Sequence, residues 1–158
     1  MHLDQYLDRY LSDVARYGSD ILASENMLRS RTFIQHGATS VYEHSLHVAA
    51  KSLELARCMK LHVDERAMVR GALLHDFFLY DWHVADPTHR LHGFYHARTA
   101  YRNAEKEFAL GRIERDVILR HMFPLTLIPP RCREGLLVCL ADKICAVSET
   151  VPVRLPAR

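Results

Sequence analysis

The stretch Gly71–Trp82 constrains the fold of this chain more than any other part of its sequence. Within it, His75 and Asp76 stand side by side between an apolar helical run and the aromatic pair Phe77 and Phe78. An imidazole and a carboxylate in such apolar surroundings need polar partners, because burying them unpaired is energetically costly. Both groups are ligands of zinc, iron and manganese. The pair therefore predicts either a metal site or a buried His–Asp hydrogen bond, and the other histidines decide between the two.

The composition is that of one globular domain. With 158 residues, the chain is long enough to bury a sizeable core without disulfides. Hydrophobic residues make up 49% and charged residues 25%, and the net charge of +2 does not suggest a nucleic-acid-binding surface. We expect a single compact domain over residues 1–150, a C-terminal tail over residues 151–158, and no nucleic-acid partner.

Cysteine usage and the apolar runs bear on the compartment. The four cysteines form no C-x-x-C pair, and three of them fall in one apolar stretch, where a thiol packs as a small hydrophobe. No uninterrupted apolar segment reaches the ~18 residues that cross a bilayer. The sequence therefore predicts a cytoplasmic protein with reduced thiols and no membrane partner.

Hydrophobic periodicity predicts helices along most of the chain and strands nowhere. The predicted fold class is all-α, with about six to seven helices. Ser40 and Glu43 form an S-x-x-E capping box, and Asp64 is a predicted N-cap. The segment Phe33–Ala38 is predicted to be a loop. The predicted helices cover about residues 3–17 (ended by Gly18), 20–29, 41–59, 94–110 (ended by Gly111) and 114–122. Two more helices are expected to begin at Asp64 and at Pro129-Pro130.

Two histidines of the helix after Ser40 are distinguished by its register. With about 100° between successive residues, His44 falls at the edge of the apolar face, whereas His47 points further round, beside Glu43 and Glu54. His44 is therefore the predicted inward histidine of the two, and His47 is expected to point outward.

Six histidines and aspartates lie on or at the end of five successive predicted helices, roughly one helix and one connection apart. Every helix can therefore bring a ligand group to a shared centre. Eleven histidines in one chain favour this interpretation, because histidine is the commonest metal ligand and is not ordinary surface filler. The six candidates are His44, His75, Asp76, His96, His121 and Asp142.

This pattern resembles the HD-domain superfamily of metal-dependent phosphohydrolases. Tyr42–Ala49 is similar to the first motif of that family, Leu73–Asp76 to its name-giving second motif, and Leu140–Lys143 to its last. The resemblance covers about residues 40–149 and implies the helical HD-domain fold. The histidines between the second and last motifs resemble those of family members that hold two metals.

The resemblance implies two divalent transition-metal ions, which could be Fe, Mn, Zn, Co or Ni. It implies that one ion is held by His44, His75 and Asp142, and the other by His96 and His121. Asp76 would bridge the two ions and is the residue expected to be catalytic. Hydrolysis is expected to proceed by attack of a metal-bound hydroxide on phosphorus, without a nucleophilic side chain.

The chain also departs from the family where substrate is expected to bind. Phe77–Leu79 replaces the Ile-Gly-Lys that follows the pair in many members, and Met122–Leu125 replaces the Gly-Tyr-Pro signature of the cyclic-dinucleotide branch. The expected partner is a small phosphorylated molecule, a phosphomonoester or phosphodiester such as a nucleotide, and the missing signature argues against a cyclic dinucleotide. Candidate substrate-binding residues are Lys143, Arg120, His92, Gln35 and His36.

Two other functions are compatible with the same ligands. The inositol-oxygenase-like branch of the superfamily uses this set with two irons to activate dioxygen, and ligand identity alone does not separate it from a hydrolase. The third hypothesis is a non-catalytic module that senses a nucleotide in the same pocket.

Overall fold

The computed structural model describes residues 3–81 and 92–150, with side chains for residues 10–81 and 95–150. Seven α-helices and a short hairpin make up this part of the chain. It is all-α apart from the hairpin, as the periodicity predicted. The elements are α1 (Leu3–Leu22), α2 (Glu25–Arg29), a 3₁₀ turn (Ser30–Thr32), β1 (Ile34–His36), β2 (Thr39–Ser40), α3 (Val41–Cys58), α4 (Glu65–Leu74), α5 (His92–Glu107), α6 (Arg112–Arg120) and α7 (Arg133–Thr150).

Helix α4 lies at the centre of the fold. All its residues from Ala67 to Leu74 are buried, and it packs against α1, α3, α6 and α7. Gly71 permits the close approach of α6, because a Cβ there would lie 2.8 Å from Val117 Cβ. The helix ends with His75 as its C-cap, so the His-Asp pair is delivered to the middle of the molecule.

The predicted helix starts at Ser40 and Asp64 are confirmed. Ser40 Oγ accepts the Glu43 N–H at 3.2 Å, and Glu43 Oε2 accepts the Ser40 N–H at 2.9 Å, which completes the capping box. Asp64 Oδ1 accepts the Ala67 N–H at 2.9 Å. These caps satisfy backbone donors that a helix start leaves free.

The predicted break at Gly18 is confirmed, because its backbone is not helical (φ −121°, ψ 21°) and divides α1 into two helical segments, the second of which ends at Leu22. Two other N-terminal predictions were wrong. The second helix begins only at Glu25, because Ser24 caps it by accepting the Met27 N–H. The predicted loop Phe33–Ala38 contains β1, which pairs antiparallel with β2 across a turn at Gly37. Strands of three and two residues are too short to show an alternating pattern.

Three boundaries differ in the C-terminal half. Helix α5 ends at Glu107, and Gly111 serves as the N-cap of α6, where its N–H donates to Glu114 Oε2 at 3.2 Å. Helix α7 begins at Arg133 and not at Pro129-Pro130. The predicted turn at residues 86–88 and the tail at 151–158 lie outside the described residues. Within residues 3–81 and 92–150, no helix has the length and hydrophobicity that crossing a bilayer requires.

Candidate metal centre

The six predicted ligands come together in the interior. His44 lies on α3, His96 on α5 and Asp142 on α7, while His75 and His121 directly follow α4 and α6. Each has a relative exposure of 9% or less. Buried ionisable side chains are rare unless they pair or bind a metal, so their convergence is the main chemical feature of the fold.

Asp76 stands between two groups of these ligands, and its two oxygens face different histidines. Oδ2 lies 3.3 Å from His75 Nε2 and 4.0 Å from His44 Nε2. Oδ1 lies 3.2 Å from His96 Nε2 and 3.5 Å from His121 Nε2. A carboxylate in this position has the arrangement of a ligand that bridges two cations.

Asp142 completes the group on the Oδ2 side. Its Oδ1 lies 3.1 Å from His44 Nε2 and 3.7 Å from His75 Nε2. On the other side, the Nε2 atoms of His96 and His121 are 2.9 Å apart. Two sets of three residues, His44–His75–Asp142 and His75–Asp76–His121, have ligand atoms within 4.8 Å of one another. Either set could hold an ion, but both include His75, whose Nε2 can bind one ion at a time.

The outer nitrogens of three histidines are fixed by acceptors. His75 Nδ1 lies 2.7 Å from the Ala72 carbonyl oxygen, and His121 Nδ1 lies 2.8 Å from that of Ile118. Because a carbonyl can only accept, each Nδ1 must carry the proton, which leaves Nε2 free to bind a metal. His44 Nδ1 is 2.8 Å from Glu149 Oε2, the carboxylate–histidine arrangement that orients ligands in metal sites.

The protonation preferences differ between the two sides. Burial lowers the pKa of His44, but hydrogen bonds with Asp142 and Glu149 outweigh it and raise that pKa to about 9. Burial would raise the pKa of Asp142, yet contacts with His44 and His75 hold it well below its usual range. By contrast, burial lowers the pKa of His121. A cation that binds His44 Nε2 therefore competes with a proton there, so its binding should strengthen as pH rises.

A metal ion fits these residues because it would bind two buried polar atoms that have no hydrogen-bond partner. Among the described residues, His75 Nε2 and Asp76 Oδ1 are buried without a hydrogen bond. Each orphaned group of this kind costs about 1–3 kcal/mol. Both atoms face the other ligands, and imidazole nitrogen with carboxylate oxygen is a donor set that zinc, iron and manganese accept.

Glu149 was not among the residues predicted from the sequence. Its side chain is 3% exposed, and its Oε1 lies 2.7 Å from His47 Nδ1 while Oε2 bonds His44. The prediction that His47 points outward was wrong, since its side chain is 16% exposed and is held by this carboxylate. A signal existed: Glu149 lies seven residues after Asp142, which places both on one face of a helix.

The candidate substrate residues separate into two places. Gln35, His36 and Lys143 line a cavity of about 390 Å³ that opens onto the ligands. Gln35 is directly attached to the site, because its Nε2 donates to Asp76 Oδ2 at 2.5 Å. Arg120 instead pairs with Asp116 and lines a different cavity. The His92 side chain lies outside the described ones.

A comparison with protein families matches residues 41–147 to the sequence model described as the HD domain. The chain belongs to the HD domain family. The matched range runs from the first residue of α3 into the last turns of α7 and includes all six clustered ligands. Comparisons with curated proteins and with solved structures gave no match.

Membership of the HD domain family agrees with the chemistry of the cluster. HD domains typically bind divalent metals and are generally metal-dependent hydrolases, and this HD domain has His/Asp groups that could hold metal. Glu149 lies just beyond the matched range, so the carboxylate that holds His44 is contributed by the end of α7 outside the matched part.

Proposed function

We propose that this HD domain is a metal-dependent phosphohydrolase with a binuclear site, acting on a small phosphomonoester or phosphodiester. The observation that carries the proposal is the position of Asp76. Its Oδ2 faces His75 and its Oδ1 faces His96 and His121, so one carboxylate can serve two ions. One ion would lie with His44, His75 and Asp142. The other would lie with His96 and His121, whose Nε2 atoms are 2.9 Å apart.

Divalent ions held there would lower the pKa of a coordinated water toward neutrality and neutralise charge on the phosphoryl oxygens. The protein contributes orientation. Gln35 holds Asp76 through Oδ2, which leaves Oδ1 directed at the histidines of the second group. Lys143 Nζ donates to the carbonyl oxygen of His121 at 2.9 Å and lies 3.8 Å from Asp142 Oδ2. It therefore places a positive charge at the wall of the cavity, where a phosphate anion would enter.

The cavity supports a small substrate. A volume of about 390 Å³ lies in the range of small-molecule sites, about 300–1,000 Å³. The cavity is also lined by apolar residues, Met122, Pro124, Leu125 and Ala146. A phosphoester could place its phosphate at the ligand cluster and its less polar body against these apolar residues.

The test combines a metal assay with a phosphatase panel. Protein purified without chelator is analysed for transition metals, and then assayed against phosphomonoesters and phosphodiesters before and after EDTA and after re-addition of Mn²⁺, Fe²⁺ or Co²⁺. We expect phosphate release that disappears with the metal and returns with it. The melting temperature should fall and recover in parallel, because the ions link five elements around buried carboxylates.

Two results would contradict the proposal. The first is a sample verified to be free of metal that hydrolyses its substrate at the original rate. The second is oxygen uptake with candidate polyols or phosphonates and no phosphate release from any ester, which would indicate the oxygenase chemistry of the inositol-oxygenase-like branch. A protein that binds nucleotide but turns over no ester would be a sensing module.

A further inference from the structure

A second cavity lies away from the metal centre, between α6 and the start of α7. Its volume of about 610 Å³ exceeds that of the cavity at the ligands and suits a molecule of nucleotide size. Its walls carry four arginines, Arg112, Arg115, Arg120 and Arg131. None of the six clustered ligands lines it, so it is a separate site.

One acidic side chain of this cavity is already occupied by protein donors. Asp116 Oδ2 accepts the N–H of Arg131 at 2.8 Å and that of Cys132 at 3.3 Å, and Oδ1 accepts from Arg120. This carboxylate therefore ties α6 to the segment before α7 and holds one of the four guanidinium groups in place.

The other carboxylate, Glu134, is also occupied. Its Oε1 accepts the Asp64 N–H at 2.9 Å, and Glu134 is 8% exposed. Among the described residues, neither acid forms an ion pair with Arg112, Arg115 or Arg131, and the four arginines of the cavity outnumber its two carboxylates.

Three guanidinium groups of the cavity have no carboxylate partner. Arg112, Arg115 and Arg131 are exposed and form no ion pair with any described residue. Arg115 lies over the ring of Tyr101, 5.4 Å from its centroid, which orients it without cancelling its charge. Arg112 and Arg115 are three residues apart on α6, where like charges destabilise a helix by a few tenths of a kcal/mol. An anion in the cavity would relieve this repulsion.

We propose that this arginine cavity binds a small molecule that carries two or more phosphate groups, such as a nucleoside diphosphate or triphosphate. The guanidinium fork matches phosphate geometry in a bidentate manner, and several of them around one concavity suit a chain of phosphates. Ile113 and Leu119 supply apolar contacts in the same cavity for the rest of the ligand. The site is independent of the reaction catalysed at the metal centre.

The test measures binding of the non-hydrolysable analogue β,γ-methylene-ATP by calorimetry. The ionic strength is about 0.15 M, where charges more than about 8 Å apart are largely screened. The double variant R112Q/R131Q removes two guanidinium groups and keeps the backbone N–H that Arg131 donates to Asp116. The matched control R98Q/R102Q makes the same charge change on the exposed surface of α5. We expect R112Q/R131Q to weaken binding at least about tenfold, and the control to change it less than about twofold.

Four outcomes would overturn the proposal. They are no measurable binding of the analogue to the wild-type protein, unchanged binding in R112Q/R131Q, equal weakening in both double variants, and tighter binding of a short RNA that R112Q/R131Q abolishes. The third would indicate general charge attraction, and the last a nucleic-acid surface. If R112Q/R131Q melted at a lower temperature than the wild type, the binding of the analogue by R131Q alone would be compared with the wild type, since R131Q changes one exposed side chain.

Discussion

In the proposed binuclear site, replacing Glu149 by glutamine should weaken the binding of one metal ion and leave the other nearly unchanged. Glu149 accepts from His44 Nδ1 at 2.8 Å and from His47 Nδ1 at 2.7 Å. Glutamine has one acceptor oxygen, so it can satisfy one histidine N–H and presents its own N–H₂ to the other. It also removes the negative charge that increases the basicity of His44.

The size of the effect follows from the role of the carboxylate. Burial would raise the pKa of Glu149, but hydrogen bonds from His44 and His47 lower it to about 2, so it is a strongly held anion at neutral pH. Loss of such a partner behind a ligating histidine reduces metal affinity about 10–100-fold, or about 1.4–2.7 kcal/mol. The reduction should affect the ion of His44, because the hydrogen bonds of Glu149 are with His44 and His47.

Competition with a fluorescent metal chelator, fitted to two sites, would measure this difference. Glu105→Gln is the matched control, since Glu105 is an exposed carboxylate that bonds Tyr101. His47→Ala should keep the full metal content, because His47 contacts Glu149 and not the ligand cluster. If Glu149→Gln bound both ions as tightly as Glu105→Gln, the carboxylate would not support the site as argued.

Three further predictions concern the centre, the core and the thiols. Asp76→Ala should lose both ions and all activity, and metal analysis showing one retained ion would contradict bridging. Gly71→Ala should lower the free energy of unfolding, measured by urea titration, by up to about 2 kcal/mol. The new methyl group crowds Val117, which costs about 1–3 kcal/mol, whereas the higher helix propensity of alanine stabilises the helix by about 1 kcal/mol. With a thiol reagent at pH 8, the exposed Cys58 should react faster than Cys132, because burial raises the pKa of Cys132 to about 12 and keeps its thiol protonated. Equal reaction rates of the two cysteines would contradict this prediction.

Local chemistry predicted the parts of the fold that depend on a few neighbouring residues. Ser40 with Glu43 and Asp64 with its helix are caps whose donors and acceptors lie within three positions, so their helix starts were predictable. The hairpin could not be predicted in this way, because β1 depends on pairing with β2 and on a left-handed turn at Gly37 (φ +57°). Strands this short leave no alternating pattern in the sequence.

The candidate site, too, has parts that could be predicted from local sequence and parts that depend on contacts between distant segments. The convergence of the six candidate ligands could be predicted because each lies on a predicted helix or at its end, and each is buried in the structure. Glu149 could not be chosen by hydrophobicity, since α7 also exposes apolar residues such as Leu136 and Val147 and has no plainly apolar face. His47 was misplaced because a register calculated from one helix does not include the neighbouring helix that covers it. Arg120 adjoins His121 in sequence but turns toward Asp116 on the preceding turn of α6.

The central claim is that Asp76 bridges two ions, and anomalous diffraction from crystals of protein purified without chelator tests it most directly. The account predicts two peaks, one within coordination distance of His44, His75 and Asp142 and the other of His96 and His121, with Asp76 contacting both. Metal–ligand bonds to nitrogen and oxygen are about 2.0–2.2 Å long. A single peak, with His96 and His121 more than about 4 Å from it, would contradict the binuclear site.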